Sequence, residues 1–172
     1  MGSYKLRKSK FLGPLLKGLS DLNKFLTKRK DFSWNTGWTI KGSREEAMHR
    51  DAAYIGLAHI LLSILKLEKG KAFEMLKKLK CNIRDLRQEV EKVVVGLPKR
   101  DRSFDLPFTK SASNALKFAS IIADKFNSEE IENEHLLLAI LHEDSSLLAP
   151  IFRKFNLSYE LCYVQLRKLQ GN

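Results

Sequence analysis

Asn133-Glu134-His135-Leu136-Leu137-Leu138-Ala139-Ile140-Leu141 has a second version in the same chain, Leu57-Ala58-His59-Ile60-Leu61-Leu62-Ser63-Ile64-Leu65. The two segments lie 76 residues apart, and in each a histidine stands near the start of a mostly apolar run. The same offset, without a gap, carries Phe32 onto Phe108, Ile40 onto Leu116, Ala47 onto Ala123, Leu76 onto Phe152, Ile83 onto Tyr159 and Val90 onto Leu166. A fixed period of this kind marks a supersecondary unit that buries its apolar face against its own copy. The chain therefore reads as a tandem duplication: an extension over residues 1–31, repeat one over 32–96, a linker over 97–107 and repeat two over 108–172.

Apolar residues at three- and four-residue spacing make each repeat a set of four helices, and no strand is expected. In repeat two Thr109 is placed to cap a helix with Ala112, Leu116, Ala119, Ala123 and Phe126 on one face, and Asn133 to cap the apolar helix through Leu141. A third helix is expected from about Leu147 to Phe155. Ser158 then caps a fourth, whose Leu161, Cys162, Leu166 and Leu169 face inward; its counterpart opens at Asn82, ahead of Ile83, Leu86, Val90 and Val93. The first helix of repeat one contains Gly37 and Gly42, each costing about 1 kcal/mol relative to Ala in a helix interior. It is expected to be shortened or frayed. Trp34 and Trp38, where repeat two has Lys110 and Asn114, are expected to fill core or subunit contacts.

A chain of 172 residues, 44% hydrophobic, can bury one sizeable core, and a duplication points to one pseudo-symmetric domain. No apolar run approaches the roughly 18 residues that span a bilayer. The two cysteines, Cys81 and Cys162, sit at non-equivalent places and align with Leu157 and Leu86 in the opposite repeat, so they read as small core residues. Neither a disulfide framework nor metal-ligand spacing accompanies them. A reducing compartment fits, the cytoplasm or, in a plant, the plastid stroma, and the start does not read as a signal peptide.

The net charge is +11, and residues 1–31 hold nine Lys and Arg against Asp21 and Asp31. The rest of the chain is nearly balanced. From Pro14 to Lys30 the extension reads as an amphipathic helix whose Leu15, Leu19, Leu22 and Leu26 form a partner-docking face. That face packs on the domain itself or on a second subunit, which leaves a homodimer open. The alternative is a tether from the basic arm to an acidic membrane surface or to nucleic acid.

Ser43-Arg44-Glu45-Glu46-Ala47, then Ile55-Gly56-Leu57-Ala58-His59-Ile60-Leu61-Leu62, and later Leu106-Pro107-Phe108-Thr109 leading to Ile131-Glu132-Asn133-Glu134-His135-Leu136-Leu137-Leu138, carry a family resemblance. They resemble the duplicated N-terminal domain of Clp-type AAA+ unfoldases of the ClpC and ClpA kind, over about residues 33 to 172. The family's pattern here is Ile-Gly-Thr-Glu-His-(Ile/Leu)-Leu-Leu. The resemblance implies an all-α domain of two pseudo-symmetric four-helix repeats that recruits substrates and adaptors to an ATP-driven ring.

No phosphate-binding loop is present: Gly70-Lys71 is followed by Ala72 and lacks the upstream glycine. The chain thus resembles the stand-alone double-repeat members, or an N-domain separated from a longer polypeptide. The reading is of a non-enzymatic adaptor, regulator or substrate-recognition module. Its partners would be a Clp ATPase, the Clp protease core or client proteins, with no catalytic residues, cofactor or metal.

In ClpC-like proteins the glutamate of Thr-Glu-His helps bind phosphorylated arginine on clients. Carried over position by position, Glu134 alone survives, with Asn133 in place of Thr and Glu132 in place of Gly. Repeat one has Leu57-Ala58 there, which removes both cap and carboxylate. Glu134 reads either as a helix-start acid favoured by the dipole alone or, if client binding of this type persists, as a one-sided site together with Asn133. His59 and His135, at equivalent places, read as packed structural histidines.

Overall fold

The computed structural model describes residues 30–99, 106–143 and 147–171. The expected amphipathic helix with Leu15, Leu19, Leu22 and Leu26 lies outside the described residues. Contacts divide the chain at Lys30, and the residues from Asp31 onward form one compact unit.

Among the described residues eight helices fall as two sets of four. Repeat one holds α1 (Trp34–His49), α2 (Leu57–Lys66), α3 (Gly70–Lys78) and α4 (Ile83–Val95); repeat two holds α5 (Lys110–Lys125), α6 (Asn133–Leu141), α7 (Ala149–Lys154) and α8 (Tyr159–Leu169). The starts of α1, α2 and α4 recur 76 residues later. Thr109, Asn82 and Ser158 cap their helices, each side chain accepting a backbone N–H three residues on. The ends repeat too. Asp51 and Asn127, then Lys80 and Asn156, take left-handed backbone after α1, α5, α3 and α7. The amides that follow, Ala52, Ser128, Cys81 and Leu157, each bond back to a carbonyl five residues earlier, the arrangement that satisfies the last carbonyls of a helix.

The copies grip each other by exchange. Extended residues ahead of α1 pair with the segment ahead of α6, where the Ser33 amide donates to the Ile131 carbonyl at 3.1 Å and the Ile131 amide to that of Asp31 at 2.8 Å. Residues ahead of α5 do the same with the segment ahead of α2, through Thr109 to Ile55 at 2.9 Å and Ile55 to Pro107 at 2.8 Å. Applying the offset to one pairing gives the other, which is what a pseudo-twofold axis requires. Only isolated bridges of this kind occur among the described residues; no strand does.

On the axis α2 meets α6, with α1 packed on α2 and α5 on α6. Every residue from Leu57 to Leu65 and from Asn133 to Leu141 is buried. Large apolar side chains gain about 1.5–3 kcal/mol each on full burial, so these two short helices hold the core. Helix α3 leaves its own repeat to pack on α6 and α8, while α7 packs on α4.

Several expectations are corrected. Helix α1 is neither shortened nor frayed, since both it and α5 have 16 residues. Ser33 caps it, and Gly42 faces α2 so closely that an added Cβ would lie 2.4 Å from Ser63 Oγ. The close approach gained by packing thus offsets the propensity lost. Trp34 and Trp38 do not enter the core: they are 78% and 47% exposed, in edge-to-face contact at 5.8 Å, with the Lys41 ammonium 4.6 Å from the Trp38 ring. The inward stripe of α1 is Thr36, Thr39, Ser43, Glu46 and Ala47, which turns both indoles outward. Leu161, expected to face inward, is half exposed; Cys162 and Leu166 are the buried pair of α8.

Candidate functional site: a one-sided cleft at the start of α6

Two features build the beginning of α6. The first is its cap, which is not Asn133 as the sequence suggested. Glu132 occupies the capping position with extended backbone, and Asn133 is the first helical residue. The Glu132 amide donates to His135 Nδ1 at 3.0 Å, and the Gly56 amide donates to His59 Nδ1 at 3.1 Å at the matching place in α2. The histidines therefore cap their own helices from the third position, and the cap of repeat one survives Leu57. A backbone donor needs no particular side chain at its own residue, so Gly56 serves as well as Glu132. Burial, with the Arg50 charge in support and Glu46 opposing, lowers the pKa of His59 to about 4. It is a neutral imidazole whose Nδ1 accepts.

The second feature is the cleft. The starts of α3 and α6 converge on a cavity of about 300 Å³, with Asn35 of α1 and Leu67 completing its wall. Lys69, Gly70 and Lys71 come from one side, Glu132, Asn133 and Glu134 from the other. Gly70 matters here because the chain turns into α3 with its φ at +84°, a conformation that glycine adopts without penalty. Both helix starts bring first-turn amides and the positive end of a helix dipole to the cleft.

Glu134 is buried, and burial pushes its carboxyl above the usual carboxylate range against the opposing pull of its own backbone amide and of Lys71. Its ion-pair partner is the Lys71 ammonium, 4.0 Å from Oε1. Asn133 is 8% exposed, and its Oδ1 is buried without a hydrogen-bond partner among the described residues. Glu132, by contrast, is engaged, accepting the Ser33 hydroxyl at 2.7 Å. A buried acceptor without a donor costs about 1–3 kcal/mol, and it persists where something else supplies the donor. The arrangement can hold a group that donates several hydrogen bonds toward Glu134 and Asn133 and presents an anion to the two helix starts.

Asn133 and Glu134, singled out from the sequence, both line this cleft. Lys69, Lys71 and Asn35, which the sequence did not single out, line it too. Gly70-Lys71, discounted as a phosphate loop, turns out to enter the cleft from the other repeat. The one available signal was asymmetry: the offset places Leu147 opposite Lys71, Ala58 opposite Glu134 and Leu57 opposite Asn133. Cys81 and Cys162 take no part, and burial raises their thiols to about 11 and about 12.

The sequence model of the Clp repeat (R) N-terminal domain matches residues 31–155. This chain belongs to that family. A probable ATP-dependent Clp protease ATP-binding subunit of Chlamydia pneumoniae is 30% identical over 118 residues, 69% of this chain but 14% of that protein. The Clp N-domain described here is thus a small fraction of the length of the curated relatives it matches. Among solved structures, the Hsp104 N-terminal domain from Candida albicans superposes with a TM-score of 0.72 at 20% identity, over 83% of this chain and 93% of that one. A ClpV N-domain in complex with a VipB peptide does so with a TM-score of 0.61 at 14% identity, over 96% and 98%. At such identities the likeness establishes the fold: all-helical, two-repeat, of the Clp N-terminal type. Among the described residues no helix is long and apolar enough to cross a membrane.

Proposed function

We propose that this Clp N-domain is a non-enzymatic recognition module of an ATP-dependent Clp chaperone-protease, and that it takes client segments at the cleft between α3 and α6. The observation that carries the reading is a buried carboxylate, Glu134, beside the unpartnered Oδ1 of Asn133, in a cleft closed by two helix starts. A phosphorylated arginine matches both halves: its guanidinium donates to the acceptors, and its phosphate meets the amides and lysines. That a ClpV N-domain holds a peptide supports the view that this fold presents a surface to extended segments.

Calorimetric titration with phosphoarginine should show one site per chain. Glu134→Ala should weaken it by tenfold or more, because a charge-assisted hydrogen bond contributes about 1.5–3 kcal/mol. Circular dichroism checks that the variant folds. Two equivalent sites, or binding indifferent to Glu134, would refute the reading.

A further inference from the structure

The cleft carries its own cation. Lys71 Nζ stands 4.0 Å from Glu134 Oε1, close enough for attraction and too far for a hydrogen bond. The two partners differ in freedom: the Lys71 side chain is 47% exposed and that of Glu134 6%. The lysine can therefore swing away on its flexible stem while the carboxylate stays. Lys71 is also the second residue of α3, one residue from Gly70 and two from Lys69, so the swing keeps it beside the same helix start.

We infer that Lys71 is the residue that makes this cleft prefer a phosphorylated arginine over an unmodified one. The inference rests on the reading of the cleft given above. An unmodified arginine must displace Lys71 from Glu134, and it brings a further cation to the cleft without bringing an anion. The Glu132 and Glu74 carboxylates, which also act on Glu134, are there for either ligand and so do not distinguish the two. A phosphorylated arginine displaces Lys71 too but supplies the anion that the released ammonium then pairs with. Lysine suits this exchange because its charge is compact and its stem mobile. The pseudo-symmetric counterpart of the cleft has no such pair: Leu147 of repeat two and Ala58 of repeat one stand at the equivalent positions.

The test compares phosphoarginine with arginine on the intact chain and on Lys71→Met, which keeps the stem and removes the charge. The intact chain should bind phosphoarginine at least about tenfold more tightly than arginine. Lys71→Met should reduce that ratio to about threefold or less, mainly by weakening phosphoarginine, and Lys71→Arg should preserve it. Without ligand, carbon-detected NMR should show the Glu134 carboxyl titrating at higher pH in Lys71→Met. A ratio unchanged in Lys71→Met, with binding still dependent on Glu134, overturns the role of Lys71 and leaves the arginine-phosphate reading intact. An unmoved Glu134 titration likewise overturns it. Absence of phosphoarginine binding by the intact chain overturns both.

Discussion

Repeat one buries Thr36, Thr39, Ser43 and Glu46 along α1, where repeat two buries Ala112, Ala115, Ala119 and Ile122 along α5. One fold accepts both stripes because the polar one is internally satisfied. The Thr39 and Ser43 hydroxyls donate back to the Asn35 and Ile40 carbonyls at 3.2 and 2.7 Å, and Glu46 pairs with Arg50 and with Lys66 at 3.3 Å. In repeat two the positions of Arg50 and Lys66 are Phe126 and His142. Polar burial in repeat two occurs elsewhere, at Asn133, Glu134 and His135; there Asn133 Oδ1 has no partner among the described residues and the Lys71 ammonium stands 4.0 Å from Glu134 Oε1. Buried polar groups within one molecule thus fall into two kinds. Those of α1 are closed on themselves and serve the fold; those of Asn133 and Glu134 at the start of α6 are open toward a cavity, where the proposed ligand would meet them.

The largest expected test of this contrast concerns His59, which lies by the Glu46–Arg50 pair while His135 has the Phe126 ring at 5.9 Å. Its folded pKa of about 4 lies below the unfolded value of about 6.5, so between those values the unfolded chain takes up the proton more readily. The contribution is intact above about pH 6.5 and is lost as pH falls toward 4, up to about 3 kcal/mol. Urea unfolding at pH 7 and pH 4.5 should show the loss, and NMR should find the His59 ring neutral down to near pH 4. A folded His59 that titrates near 6.5 would break the account.

A middle-sized effect is expected at Glu46. Burial pushes its carboxyl up, but Arg50 and Lys66 outweigh burial and hold it below its ordinary value. Glu46→Ala should cost about 2 kcal/mol, less than a fully buried pair because Lys66 is largely exposed. Transplanting the other repeat's residues, as Glu46→Ile with Arg50→Phe and Lys66→His, should bring stability back to within about 1 kcal/mol of the parent. Failure of the transplant would mean that the two stripes are not interchangeable solutions.

The smallest effect separates the glycines of α1. Gly37 has nothing within 4 Å of a would-be Cβ, so Gly37→Ala should stabilise by about 0.5–1 kcal/mol. Gly42→Ala should show no such gain until Ser63→Ala clears the hydroxyl that a Cβ would meet. Equal gains at both positions would show that the close approach of α1 and α2 is incidental.

The duplication, the all-helical repeat, the caps at Asn82, Thr109 and Ser158, and the survival of one glutamate at a helix start in repeat two were legible in the residues alone. These are local facts, written in spacing and in residue types at helix ends. Tertiary structure decided what local spacing does not encode. It turned Trp34 and Trp38 outward, because the face of α1 that meets α2 is set by close approach at Gly42 rather than by hydrophobicity. It also brought α3 of repeat one to α6 of repeat two, and so Lys71 to Glu134. Each side chain is readable alone, but their meeting depends on which faces of distant helices bury together, a long-range choice made by packing around the pseudo-twofold axis.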